Sequence, residues 1–261
     1  MYFECKSDFV GGDGYCVGHG SRLRVPSSKA RMREYWSNMV SLYTLRVLGK
    51  WEDRLSAIGG LANKISLNLD DKYIAGFWKK SILRDLVWPK MGKNKQSFPP
   101  SPYRAPTWSW AAIEAEITFN DYPSSRLMVK LLSYQIQPSA NPFGPPSSGY
   151  LRVKAPRIRL HFAKKTRNAC TMKNNKGKHF KLNALIDYGM SSTKLKGMKL
   201  YGMFVVKVTE RMSGTDPPAY SCIIITPVKN ETGRYRRIGQ ILLEGSELGS
   251  EDQTRTRRDL P

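Results

Sequence analysis

Four cysteines and three histidines are the residues best suited to metal binding or nucleophilic chemistry, so their spacing is weighed first. Cys16-x-x-His19, with Cys5 upstream, offers three zinc ligands, but a structural zinc site takes four at tighter spacing. His161 and His179 stand far off along the chain, and buried thiols with a loop histidine account for the set more simply. Ser191 to Lys194 matches the S-x-x-K pattern of serine nucleophiles, yet it sits in a serine-rich loop where chance suffices. Gly11 to Gly14 follow no clear strand and read as a turn. No GxSxG elbow, P-loop, HExxH or helix-opening GxGxxG occurs. The sequence therefore names no catalytic, cofactor-binding or metal-ligating residue, implies no cofactor and points away from an enzyme.

Charge is the more unusual signal. Lys and Arg number 43 against 21 Asp and Glu, a net of +22. Residues 1–121 hold 18 basic and 12 acidic groups, and residues 210–261 hold 8 of each. Residues 122–209 hold 17 basic groups and one acid, Asp187. Such a zone attracts phosphates or acidic partners. Within it, Lys164, Lys165, Arg167, Lys173, Lys176, Lys178 and Lys181 read either as a phosphate-binding loop or as a solvated, mobile one. Single-strand binders interleave aromatics with the charges, and only Phe180 falls inside this run. No nucleic-acid motif is present, so the solvated loop is the preferred reading and a basic nucleic-acid or acidic-partner binding module the alternative.

The elements that must position these residues follow from periodicity. With 40 % hydrophobic residues, 6 Trp, 13 Tyr and 9 Phe, the chain has enough apolar mass to build a core. Trp36, Met39, Val40, Tyr43 and Val47 share one face of a helix expected over 33–47, with Ser27 and Ser28 as candidate caps. A second helix is expected from Glu52 to about Ile65, with Leu55, Ile58, Ala62 and Ile65 inward. Gly59-Gly60 inside it costs about 1 kcal/mol each relative to alanine, which makes sense if another backbone packs closely there. A third helix, Asp71 to Val87, would bury Ile74, Phe77, Trp78, Ile82 and Leu86 before Pro89 stops it.

After the proline-rich stretch 89–107 the period shifts from 3.6 to 2. Strands are expected at 116–120, 127–137, 150–155, 157–162, 180–187, 200–209, 219–228 and 235–244. The clearest alternation sets Arg157, Arg159 and His161 against Ile158, Leu160 and Phe162. The reading is α+β: a helical module (1–100), then a mainly antiparallel sandwich or barrel-like module (101–244), then a flexible polar tail (245–261). No stretch approaches the roughly 20 apolar residues of a membrane span, no signal peptide is evident, and the cysteines form no disulfide framework. A cytoplasmic protein without a membrane partner is the simplest expectation.

Three segments carry a family pattern: WSNMVSLYTLRVLGKWEDRLSAIGGLA (36–62), YIAGFWKKSILRDLVW (73–88) and YRAPTWSWAAIEAEITF (103–119). In order and spacing they resemble the region that follows the HET domain in fungal heterokaryon-incompatibility proteins. YSCIIITPVKNETGRYRRIGQ (220–240) is more weakly similar to the closing strands of that family. Ser56 stands where the family commonly has proline, and Thr107 where it commonly has serine; both departures are mild.

The resemblance implies a part in fungal nonself recognition and programmed cell death. It places a HET domain, similar to TIR-type signalling folds and the part that carries the effector role, before residue 1. Met1 is then expected to be a truncated start or the start of a remnant gene product. The chain itself would be the regulatory or scaffolding region, with a HET effector domain or another protein as partner. Read as residues, these segments look structural. Ala75 and Gly76 let Phe77 and Trp78 approach a neighbour, and Trp108 and Trp110 point to one face of an extended segment at the junction of the two halves.

Overall fold

The computed structural model describes residues 26–248 apart from 27, 47–49, 93–95, 97, 121–124, 167–168, 181–182 and 209–217. Cys5, Gly11–Gly14, Cys16 and His19 lie outside the described residues, as do Ser27, Val47, Arg167 and Lys181.

Helix α1 (Lys29–Thr44) opens on Ser28, whose Oγ accepts from the Arg31 backbone N–H at 3.3 Å. Met32, Trp36, Val40 and Tyr43, spaced by four, four and three, form its buried stripe. A 3-10 turn (Trp51–Asp53) leads into α2 (Arg54–Leu69), which buries Leu55, Ile58, Ala62, Ile65 and Leu69 and ends at Asp70 in the left-handed region, φ 49°. The expected close approach at the glycine pair is real for one of the two. A Cβ on Gly59 would stand 3.3 Å from the Phe143 Cβ, whereas Gly60 faces open space.

The third expected helix does not form. Tyr73–Ile74 (β1) and Phe77–Trp78 (β2) pair as a hairpin, and only a single turn, α3 (Ile82–Asp85), follows. The connecting Ala75 and Gly76 have φ of 45° and 100°, the geometry that tight two-residue hairpins require and helices forbid. The residues expected to be buried are buried, but on a different backbone. Ile74, Phe77, Trp78, Ile82 and Leu86 are all buried, but i, i+3, i+4, i+8 also suits a hairpin followed by one helical turn.

The remaining strands are β3 (Ser125–Leu127), β4 (Lys130–Gln137), β5 (Ser148–Lys154), β6 (Arg157–Lys165), β7 (Cys170–Lys173), β8 (Leu185–Ile186), β9 (Leu200–Val208), β10 (Ala219–Pro227) and β11 (Tyr235–Glu244), with helix α4 (Ser192–Gly197) before β9. All pairings are antiparallel. The main sheet runs β7-β6-β9-β10-β11-β8, with β3 on the far end of β9. Reciprocal bonds between Cys170 and Ala184, at 2.8 and 2.7 Å, bring the β8 end back to β7 and nearly close the sheet into a barrel. The architecture is thus α+β with a barrel-like antiparallel sheet.

Several strand expectations need correction. Residues 116–120 contribute only a bridge, Ile117 to Lys90. The single run 127–137 is two strands, because β3 joins β9 while β4 pairs with β5 as a separate ribbon. Among the described residues of 180–187, only Leu185–Ile186 form a strand. The basic run is not one solvated loop: Lys164 and Lys165 end β6, and Cys170–Lys173 form β7, with Cys170 and Met172 buried. Residues 245–248 are docked, since the Gly245 N–H donates to the Pro218 carbonyl at 2.7 Å and Leu248 is buried.

One apolar core includes Trp36 of α1, Ile58 of α2, Trp78 of β2, Leu160 of β6 and Ile241 of β11. A second, smaller cluster lies on the other side of the sheet, where Val205, Val206 and Ile223 meet Val87 and Val129. No helix among the described residues is long and apolar enough to cross a membrane.

Candidate functional site

Of the residues singled out for chemistry, those within the described part are drawn apart or engaged elsewhere. Ser191 caps α4, its Oγ accepting from the Lys194 N–H at 3.2 Å. The Lys194 ammonium donates instead to the Phe98 carbonyl. The S-x-x-K match is a helix cap. His161 Nε2 meets Asn175 Oδ1 at 3.0 Å, and His179 bridges Lys173 through the backbone. Among the described residues no three His, Cys, Asp or Glu side chains gather where they could hold a metal. Cys170 and Cys222 are buried free thiols, and burial pushes both up from their ordinary pKa, which keeps them protonated and poor as nucleophiles.

The family-like segments do come together. The indoles of Trp36 and Trp110 both donate to the Gly76 carbonyl, at 3.1 and 2.9 Å, and Ser109 Oγ donates to the Ala75 carbonyl at 2.7 Å. Trp88 Nε1 donates to the Trp108 carbonyl at 3.1 Å. The expected side-by-side pair of tryptophans is not formed. Trp110 starts a 3-10 turn (Trp110–Ala112) and is fully buried, whereas Trp108 is half-buried against Phe77. The change from extended to helical backbone at Ser109 breaks the alternation that would have aligned them.

Two buried cations reinforce this arrangement. The Arg54 guanidinium lies 5.2 Å from the Trp51 ring and 5.5 Å from the Trp110 ring, and donates to the carbonyls of Ile113 and of Ala115, the latter at 2.8 Å. Burial brings its pKa down to about 10. Tyr43 completes the link by donating to the Arg54 carbonyl at 2.9 Å. Arg237 is held at the barrel edge: its Nε donates to Asp187 at 2.8 Å, its Nη atoms to the carbonyls of Leu86 and Trp88, and its plane sits 3.3 Å from the Trp88 ring centroid. The Arg237 backbone N–H donates to Thr107 Oγ1 at 3.1 Å. Asp187 is fully buried, and burial raises its pKa against the pull of Arg237. A pair this enclosed costs desolvation that only complete hydrogen bonding offsets.

The outer face of the barrel holds a different arrangement, which the sequence could not show. On β6 Arg157 and Arg159 point away from the core, and Arg159 pairs across to Tyr201 on β9. The Arg157 guanidinium is 4.9 Å from the Tyr201 ring and 5.3 Å from the Tyr235 ring, and donates to the Tyr235 hydroxyl. The Arg159 guanidinium is 4.9 Å from the Tyr201 ring. The two tyrosine rings meet edge to face at 6.1 Å. Tyr201 lies 44 positions from Arg157 and Tyr235 lies 78, so only closure of the sheet assembles the group.

Comparison with protein-family models, with curated proteins and with solved structures finds nothing that matches this chain.

Proposed function

We propose that the chain is the non-catalytic regulatory or scaffolding region of a fungal heterokaryon-incompatibility protein, acting in the cytoplasm on a HET effector domain. The observation that supports this reading is the convergence on the Ala75-Gly76 turn. The three sequence segments that resemble the HET family supply the turn, the indole and hydroxyl donors that hold it, and the arginine that ties α2 to residues 113–115. Their polar atoms bond each other's backbones, an arrangement suited to a rigid support. Among the described residues, Cys170 and Cys222 are buried thiols, Ser191 is a helix cap and His161 is engaged with Asn175.

A scaffold must hold its effector. Purified residues 1–261 titrated against a separately produced HET domain should show saturable association by calorimetry, weakened by Gly76→Asp. Absence of any association, with both proteins folded, would remove the scaffold role.

A further inference from the structure

We infer that the Arg157–Arg159–Tyr201–Tyr235 face of the barrel is a binding surface for single-stranded nucleic acid. This goes beyond the scaffold reading and does not rest on it. Four observations carry it.

The first is unneutralised charge. Among the described residues neither Arg157 nor Arg159 has a carboxylate within ion-pair distance, and Arg159 Nη1 is buried without a hydrogen-bond partner. The buried guanidiniums of Arg54 and Arg237 find carbonyls or a carboxylate, although Arg54 Nε is itself unpartnered. The second is the interleaved aromatics that the linear sequence lacked. Two tyrosines hold the guanidiniums through cation–π contacts and the Tyr235 hydroxyl, so the planar donors are positioned before a ligand arrives.

The third is extent. Arg157, Arg159 and His161 follow one another along the same face of β6, and Lys173 on β7 stands opposite His161. At about 3.3 Å per residue this row is about 13 Å long from Arg157 to His161, more than one phosphate fills. The fourth is the composition of the flanking elements: residues 122–209 carry 17 basic groups and one acid, Asp187, which is buried. A cationic strip with aromatic and guanidinium planes suits a backbone of phosphates whose bases are free to stack. A duplex presents its bases stacked away from such planes, and the carboxylates of an acidic peptide place no ring on them.

The test is fluorescence anisotropy of full-length protein with a labelled oligodeoxythymidine of about 12 nucleotides, within the roughly 4–16 nucleotide footprints of single-strand grooves. Affinity should fall with salt. Arg157→Gln/Arg159→Gln should weaken binding at least about tenfold and flatten the log–log salt slope by about 1.4, near 0.7 for each lost phosphate contact. Tyr201→Leu should weaken it about fivefold or more with the slope retained. Should the glutamine pair unfold, Arg157→Lys/Arg159→Lys keeps the charge and removes the planes; it should keep the slope and lose affinity. Lys176→Gln/Lys178→Gln, in the turn after β7, should change affinity less than threefold, on the order of one screened surface contact. The inference is overturned if that lysine pair weakens binding as much as the arginine pair. It is equally overturned if duplex DNA binds as tightly, or if polyglutamate displaces the oligonucleotide at equal charge, which would mark a surface for acidic proteins.

Discussion

Trp36 and Trp110 donate their indole N–H groups to one acceptor, the carbonyl of Gly76, from 3.1 and 2.9 Å. One comes from the first helix and the other from the turn that follows the proline-rich stretch. Between them they close the space around a hairpin whose backbone would otherwise leave that carbonyl buried and unpaired.

Sharing an acceptor has a measurable consequence. Trp36→Phe or Trp110→Phe leaves the carbonyl one donor, so the hydrogen-bond part of each loss should be about 0.5–1.5 kcal/mol. The double substitution strands the oxygen and should exceed the sum of the singles by about 1 kcal/mol or more. Urea unfolding of the four proteins in the cycle checks this. Strict additivity would mean that the two bonds do not share a role.

Gly76 itself should tolerate no side chain. Its φ is 100°, and an added Cβ would lie 2.5 Å from Trp110 Nε1. Strain and forced repacking together should cost about 2–5 kcal/mol in Gly76→Ala. Gly60→Ala, in open space on α2, should instead stabilise by a few tenths to about 1 kcal/mol. Thermal melts of the pair would contradict the fold if the order were reversed.

Arg54 should not be replaceable by lysine. Lysine keeps the charge but cannot lie flat between Trp51 and Trp110 while donating to both Ile113 and Ala115. One buried carbonyl loses its donor, a cost of about 1–3 kcal/mol. A lysine variant with an unchanged unfolding midpoint would show that the guanidinium geometry is not needed.

Asp85 gives stability a pH dependence. Burial raises its pKa to about 6, against the hydrogen bond that Ser81 Oγ donates at 2.6 Å. The folded value exceeds the unfolded one, near 3.9, so the folded state holds the extra proton. This contribution is complete below about pH 4 and is lost as pH rises through 6. Because the carboxylate keeps some contact with solvent, its size is on the order of 2 kcal/mol. Asp85→Asn removes the titration, so the variant should gain on the wild type by that amount between pH 4 and pH 7.5. Denaturant curves at the two pH values give the difference, and a variant that lost ground would reverse the assigned direction.

The sequence was legible where one element buries its own stripe. Trp36, Val40 and Tyr43, and Leu55, Ile58, Ala62 and Ile65, announce α1 and α2 through spacing alone, although α1 begins at Lys29, ahead of the expected 33, and buries Met32 where Met39 was expected. Arg157 to Phe162 does the same for β6, and the period-2 runs 200–209, 219–228 and 235–244 fall on β9, β10 and β11. Legibility failed where distant groups decide the local backbone. The Ala75-Gly76 turn is held by Trp36, Ser109 and Trp110, and no window around residue 75 contains them. β7 was hidden because only Cys170 and Met172 mark its inward face among lysines. The arginine–tyrosine face escaped for the same reason on a larger scale: its tyrosines come from β9 and β11, outside the basic run at 164–181.

The proposed role has this chain supporting an effector without itself killing or catalysing. The most direct measurement is growth and viability of a fungal host expressing residues 1–261, alone and fused behind a HET domain. The account predicts normal growth with the unfused chain and death or arrest only with the fusion, altered when Gly76→Asp breaks the tryptophan-held turn. Death from the unfused chain, abolished by substituting a single histidine or cysteine, would contradict it and point to an enzyme.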